Sequence, residues 1–298
     1  KFYKSSNTSE QGPGSNGTDA DFDFQTAQYI DYKAQSSYKY PNLNTALFGE
    51  QIIYLRDNLS ITPGFRLEHI KTQSEGYYKK VFLDPAGNLL LNETIPSNET
   101  RKRSFVLFGV GVSYKPTKYL EFYNNVSQNY RSVTFADISI VNPAFAINPN
   151  ITDEKGYNID FGIRGIFNKT ISYDLSVFGL YYNDRIGFVQ KVFEDGNVKS
   201  ERGNVGNASI YGFESLVDVN LTKLLNIDPI YGASLFANTS IIDSKYTASS
   251  INGITGKKVE FVPNLNFKSG FKFSFKDFSS SIQYTYMSEQ FTDASNSI

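Results

Sequence analysis

The 298-residue sequence predicts an all-β fold: an antiparallel transmembrane β-barrel with about ten strands present. Four observations predict it. Apolar and polar residues alternate with period two, as in "ITPGFRLEH" from Ile61 to His69, and period two is the signature of an extended strand with two unlike faces. The alternating runs last roughly 12 to 17 residues, against a usual soluble strand of about 5–6. Short turns also alternate with long polar segments, the rhythm of a barrel with short periplasmic turns and long outer loops. Finally, the apolar parity is heavily aromatic, with Tyr157, Phe167, Phe275 and Tyr286 near strand ends, where interfacial girdles form. A secreted β-sandwich would explain the alternation but neither the lengths nor the rhythm.

Residues 1–40 are rich in Gly, Ser, Asn and Asp and read as mostly an extracellular loop. The first strand is expected from Leu43 to Leu55, with a turn at Arg56-Asp57-Asn58 and a second strand from Leu59 to about Lys71. The segment Thr72 to Lys102 carries "DPAGN" and "PSNET", which is loop chemistry. Strands follow at Arg103–Tyr114 and Tyr119–Arg131, then a long segment from Ser132 to Glu154. Lys155–Phe167 sorts Tyr157, Ile159, Phe161 and Ile163 from Asn158, Asp160 and Arg164. "NKT" turns into Ile171 to about Val192, and "EDGN" into a strand ending near Asn220. "LTKLLNIDP" leads to Ile230–Tyr246, and the loop "TASSINGITGKK" to Val259–Phe275. In that strand Phe261, Leu265, Phe267, Phe271 and Phe273 alternate with Asn264, Asn266, Lys268 and Lys272. The last strand is Ser279 to about Gln290. No helix is expected, and no linker divides the chain, so residues 1–298 form one partial barrel domain. The first expected strand descends from the long-loop side and the tenth ends there. A closed outer-membrane barrel does not run that way, so strands are expected to be missing at both ends.

Composition narrows the functional classes. The formal net charge is -1, against the basic surface a nucleic-acid binder needs. There is no cysteine and a single histidine, His69, which excludes disulfides, thiol chemistry and multi-histidine metal sites. His69 lies on the apolar parity and is expected to be packed or interfacial. Mean hydropathy is -0.35, and no apolar run approaches the length of a membrane helix. No nucleophile elbow, P-loop or HExxH motif occurs, so no enzyme and no cofactor are expected. The spacing of Asp19, Asp21 and Asp23 suggests a surface cation loop, but the glycine and distal glutamate of a calcium loop do not follow. A plain solvated loop fits as well. In a barrel wall the polar parity faces the lumen, so Arg66, Arg131 and Arg164 are expected to look inward. Arginine suits bidentate recognition of carboxylates, which makes these three the candidate ligand-binding residues. The competing reading is that they pair with Glu68, Glu121, Asp160 or other carboxylates and brace the wall.

Several stretches resemble the C-terminal barrel of TonB-dependent outer-membrane receptors, particularly the ferric dicitrate receptor branch. They are "ALFGEQIIYLRDNLSITPGFRLEHI" (Ala46 to Ile70), "YKPTKYLEFYNNVSQNYRSVTFADI" (Tyr114 to Ile138), "DEKGYNIDFGIRG" (Asp153 to Gly165), "GNVGNASIYGFES" (Gly203 to Ser215), "FVPNLNFKSGFKF" (Phe261 to Phe273) and "YMSEQFTDASN" (Tyr286 to Asn296). The resemblance implies a barrel of about 22 strands with a plugged lumen, of which this chain holds neither the plug nor the last strands. It also implies a bacterial outer-membrane location with outer-membrane lipid and lipopolysaccharide as neighbours, uptake of an anionic ferric chelate, and coupling to the TonB complex through the plug. The alternatives are import of another nutrient, such as an oligosaccharide or peptide, and a passive porin or structural barrel.

Overall fold

The computed structural model describes residues 1–11, 36–86, 88–138, 145–194 and 196–297. The chain forms β1 (Phe2–Gln11), β2 (Ser36–Glu50), β3 (Ile53–Arg56), β4 (Leu59–Leu83), β5 (Leu89–Thr117), β6 (Leu120–Arg131), β7 (Phe145–Ile147), β8 (Glu154–Phe167), β9 (Ile171–Val192), β10 (Val198–Asn220), a single-turn helix α1 (Leu221–Leu224), β11 (Tyr231–Ala248), β12 (Leu265–Phe275) and β13 (Phe278–Met287). All strands join one sheet in the order β1-β2-β4-β5-β6-β8-β9-β10-β11-β12-β13, with β3 on β4 and β7 on β10. Every ladder is antiparallel except β7 with β10. β1 and β13 lie at the two ends of this order.

Local sequence sets the turns. Asn168 and Lys169 both adopt positive φ, +47° and +57°, and the Thr170 N–H donates to the Phe167 carbonyl at 3.0 Å. Two left-handed central residues match the twist of a tight hairpin. Between β10 and β11, the Asn220 side chain accepts from the Lys223 N–H at 2.9 Å, an N-cap that allows one helical turn.

The register assembles the two faces. Ile61, Val112, Asn124, Phe161, Val177, Phe213, Ile241 and Leu265 follow one another across successive ladders. Phe161, Val177 and Ile241 in this row are 51%, 52% and 54% exposed. No protein layer covers them, so their apolar environment is lipid, as barrel geometry requires. The opposite face carries Glu121 beside Arg164 and Asn125 beside Asp160, and it looks into the lumen.

Several elements depart from the expected bounds. The polar segment Thr72 to Lys102 is a continuing ladder, not a loop: β4 and β5 stay paired from Leu59–Tyr114 up to Leu83–Leu89. Above the membrane the outward face meets water, and Thr72 and Ser74 on the lumenal parity are buried yet polar, so the period-two hydrophobic signal vanishes although the backbone ladder goes on. Residues 2–11, expected within a loop, form β1 on the outer part of β2. The expected strand Leu43–Leu55 starts at Ser36 and is interrupted between β2 and β3. The strand expected from Val259 begins only at Leu265. Phe261 has a φ of +59°, and Pro263 has no N–H to give a ladder. α1 stands where no helix was expected. Asp19, Asp21 and Asp23 lie outside the described residues.

Candidate functional site in the lumen

The lumenal face divides by height. Near the short turns, Arg164 Nε donates to Glu121 Oε2 at 3.0 Å, and Ser113 Oγ donates to Glu121 Oε1 at 2.6 Å. The Arg164 guanidinium also lies over the Tyr123 ring, 5.2 Å from its centre, while the Tyr123 hydroxyl donates to Asp174 at 2.7 Å. Glu121, Arg164 and Asp174 line an open cleft of about 440 Å³ with Lys115 and Asp218. Higher, Arg66 forms an ion pair with Glu68, whose other oxygen accepts from Asn44 Nδ2 at 2.6 Å.

Arg131, at the outer end of β6, belongs to a larger network. Its Nη1 donates to Glu154 Oε1 at 2.7 Å, the residue opposite it in register. Its Nη2 reaches Asp137 at 3.4 Å, and Arg202 pairs with the same carboxylate. The Asp137 side chain is fully buried. It also accepts from the Thr134 N–H and hydroxyl at 2.6 and 2.8 Å, capping a short 3-10 turn at Phe135–Asp137. Alongside, Arg103 Nε donates to both Asp153 oxygens at 2.8 Å, and Arg101 Nη1 to the Ile151 carbonyl at 2.6 Å. Val133, Ile138, Ile151 and Ile186 bury one another beneath these pairs. The segment after β6 therefore folds inward onto the lumenal wall.

A second outer loop does the same. Val259 and Ile254 of this loop, with Ala294 of the segment after β13, pack on Val205, Ala208, Ile210 and Tyr246 of the wall. The loop brings Glu260 to Arg185 Nη2 at 3.4 Å and to the Tyr246 hydroxyl at 2.7 Å. Gly187 makes this approach possible, because a Cβ there would stand 2.6 Å from Glu260 Oε1. Burial and the Glu260 carboxylate together push the Tyr246 hydroxyl well above its ordinary pKa. At Arg185 burial works against the charge, but Glu260 outweighs it and raises the pKa.

Arg66, Arg131 and Arg164 thus all lie on the lumenal parity, each with carboxylate partners of its own. The structure does not join them into one cluster. The β5–β6 ladder ends at Gly109–Ser127, so Arg66 and Arg131 sit in separate networks. Asp137, Asp153, Arg101, Arg103, Arg185, Arg202 and Glu260 were not singled out from sequence. Parity could have placed Arg101 and Arg103 on the lumenal side; their partners, about fifty residues away, carry no local signal. Chemically, the surface offers fixed guanidinium groups for anion recognition.

A lipid-facing apolar wall around a charged lumen, with outer loops folded inward, defines an outer-membrane β-barrel. The chain belongs to the TonB dependent receptor-like β-barrel family, which it matches over residues 2–298. Members of this family are transport receptors of the bacterial outer membrane, and this barrel wall sits there too. Its fold is similar to that of the ferric yersiniabactin uptake receptor FyuA from Yersinia pestis, with a TM-score of 0.65 and 18% identity over 88% of this chain and 37% of that one. It is also similar to the ferric citrate transporter FecA, with a TM-score of 0.63 and 18% identity over 90% and 35%. The ferric-catecholate import receptor Fiu from E. coli K12 gives a TM-score of 0.64 and 11% identity over 87% and 36%. The chain therefore spans little more than a third of the length of these receptors. No curated protein sequence matches it.

Proposed function

We propose that the whole protein takes up an anionic ferric chelate across the outer membrane without catalysing a reaction on it, drawing on the TonB complex for energy. The ferric citrate type of chelate, with several carboxylates, suits the lumenal chemistry best. The observation that carries this reading is the state of the three lumenal arginines. Arg66, Arg131 and Arg164 are ion-paired yet keep 40%, 37% and 53% of their side chains exposed. A half-exposed guanidinium bound to a carboxylate can exchange that partner for a ligand carboxylate of the same geometry. Arg131 stands at the outer end of its strand, where an arriving ligand first meets the wall.

The test replaces Arg66 and Arg131 together by Gln in the full-length receptor and measures ferric citrate binding by calorimetry. Binding is expected to weaken more than tenfold, which corresponds to a loss of ~1.4 kcal/mol or more. Asp137→Asn serves as the control, since it disturbs the same outer network without removing a guanidinium. Normal chelate binding by the double variant would make the arginines wall braces. Binding of an oligosaccharide or peptide in place of any ferric chelate would assign the receptor another nutrient.

A further inference from the structure

One connection at the short-turn end differs from the rest. The others hold two or three residues, such as Asp57-Asn58 and Lys276-Asp277. The connection from β10 to β11 holds ten, Leu221 to Ile230, and includes α1. Its Leu224, Leu225, Ile227 and Ile230 are all exposed, Leu225 by 62%. The backbone beneath them is nonetheless ordered. After the Asn220 cap, the Leu225 N–H donates to the Leu221 carbonyl and the Ile227 N–H to the Thr222 carbonyl, both at 2.9 Å. Between them Asn226 has a φ of +51°, and a left-handed residue under such a six-to-one bond closes a helix. Asp228 then accepts the Ile230 N–H on its side chain and the Tyr231 N–H on its carbonyl, again at 2.9 Å. These bonds pair backbone groups inside the connection, as a segment leaving water requires.

Thr222 sets the height. Its hydroxyl accepts from the Ala233 N–H at 2.6 Å and donates to the Tyr231 carbonyl at 2.9 Å. α1 is therefore held level with the first residues of β11 and does not hang free below the barrel. At that level Tyr231 shares the outward parity of Leu235 and Ile241, and its ring stacks on Phe275, opposite it in register, with centres 5.0 Å apart. An aromatic pair at the end of a lipid-facing row marks the membrane boundary. Ile230 is the next residue, so the exposed apolar surface of the connection begins where that of the wall ends. The lumenal cleft at this end is lined by Leu216 and Asp218 of β10 but by no residue from Leu221 to Ile230. Lys223 and Asp228 leave the connection without net charge.

We infer that Leu221 to Ile230 is an interfacial anchor whose Leu224, Leu225, Ile227 and Ile230 insert into the phospholipid of the periplasmic leaflet beside the wall. The inference takes the outer-membrane setting as given and is independent of which nutrient is imported. A short ordered segment with uncovered apolar side chains lies in the plane of the interface, about 5–10 Å into the boundary of headgroups and acyl chains. With its charges balanced, the segment inserts by apolar contact and not by attraction to anionic lipid. The anchor fixes the depth of β10 and β11 from the periplasmic side.

The test places a nitrobenzoxadiazole fluorophore on single-cysteine variants of the full-length receptor, L225C and, at a polar turn, D277C, in phospholipid nanodiscs, where both ends of the barrel meet buffer. The fluorophore at 225 should be quenched by nitroxides carried on the lipid chains, at a depth of about 5–10 Å. Iodide in the buffer should quench it several-fold less than the fluorophore at 277. Both results should be the same in zwitterionic lipid and in lipid containing phosphatidylglycerol. L224N/L225N should still fold, since both side chains are exposed, and should open a fluorophore at I227C to iodide. Equal iodide quenching at 225 and 277 would put the connection in water and overturn the inference. Protection from iodide without quenching by lipid nitroxide would overturn it in favour of a covering protein segment. Protection only in the anionic lipid would make Lys223 the anchor in place of the apolar side chains. Unchanged protection at I227C in L224N/L225N would show that the leucines do not hold the segment in lipid.

Discussion

The lower wall and the outer vestibule are built from one continuous sheet, yet they hide apolar groups in opposite directions. In the lower wall Phe161, Val177 and Ile241 point outward and stay uncovered by protein, because lipid is their solvent. Higher up the outward side meets water in place of lipid, and apolar groups can be hidden only by protein. There strand side chains such as Ile186 and Tyr246 point inward and are buried under loops that fold onto the lumenal face, whose own Val133, Ile151 and Val259 are buried against the wall. The buried charges follow the same division. Asp137, Glu154 and Glu260 all belong to the vestibule, each held by an arginine. The same strand thus reverses its apolar face where its solvent changes.

Breaking a buried ion pair in the vestibule is expected to have the largest effect. Asp137→Asn keeps the shape and the capping of the 3-10 turn but leaves Arg131 and Arg202 without their shared charge. Removing one partner of a buried pair costs about 3–5 kcal/mol, and here the loss should be local. Hydrogen exchange should show Val133 to Ile138 opening by about two to four powers of ten while β8 and β9 stay protected. Unchanged exchange in that segment would mean the network is ornamental. The next effect belongs to the wall. Val177→Arg places a charge in lipid near mid-membrane and should cost about 2–4 kcal/mol in reversible unfolding from bilayers. Ser176→Arg, its neighbour on the lumenal parity, should change stability far less. Equal costs at the two positions would refute the assignment of faces.

This division also explains what was legible in the sequence. Where one face meets lipid and the other water, alternation is strong, so the wall from Leu59 to Lys71 and from Lys155 to Phe167 could be read residue by residue. The lumenal parity of Arg66, Arg131 and Arg164 followed from it. The outer part of β4 and β5 could not be read, because Gln73 and Glu75 on one parity and Thr72 and Ser74 on the other are all polar and differ from a loop only by their partner strand. The vestibule was illegible for a second reason. Its pairs join residues far apart in the chain, Arg185 with Glu260 and Arg103 with Asp153, and no local pattern announces them. Val259 shows how the two cases are confused: its apolar neighbours suggested a strand, but the hydrophobicity serves a loop packed into the vestibule.

The smallest expected effect concerns the segment after β13, which packs against that loop, and its response to acid. Asp293 accepts hydrogen bonds from the Ser295 and Ser297 hydroxyls at 2.6 Å. Burial alone would raise its pKa, but these hydroxyls and the Ser295 and Ser297 amides outweigh it, and the carboxyl is held below its ordinary range. A lowered pKa in the folded state means the ionised form favours the folded loop. That contribution is complete above the unfolded aspartate value of about 3.9 and disappears as pH falls through it toward the folded value. The loop it closes carries Ala294, fully buried against Val259, and Asn296, whose side chain accepts from the Lys258 N–H at 2.8 Å and donates to the Lys258 carbonyl at 2.9 Å. Amide exchange at Ala294 and Lys258, corrected for intrinsic rates, should therefore be level from pH 7 to about 5 and accelerate below about 4. Asp293→Asn should begin with faster exchange at neutral pH and lose the acid dependence, while the lower wall shows no difference. If the native loop keeps its protection at pH 3, the carboxylate does not hold the vestibule shut and apolar packing alone closes it.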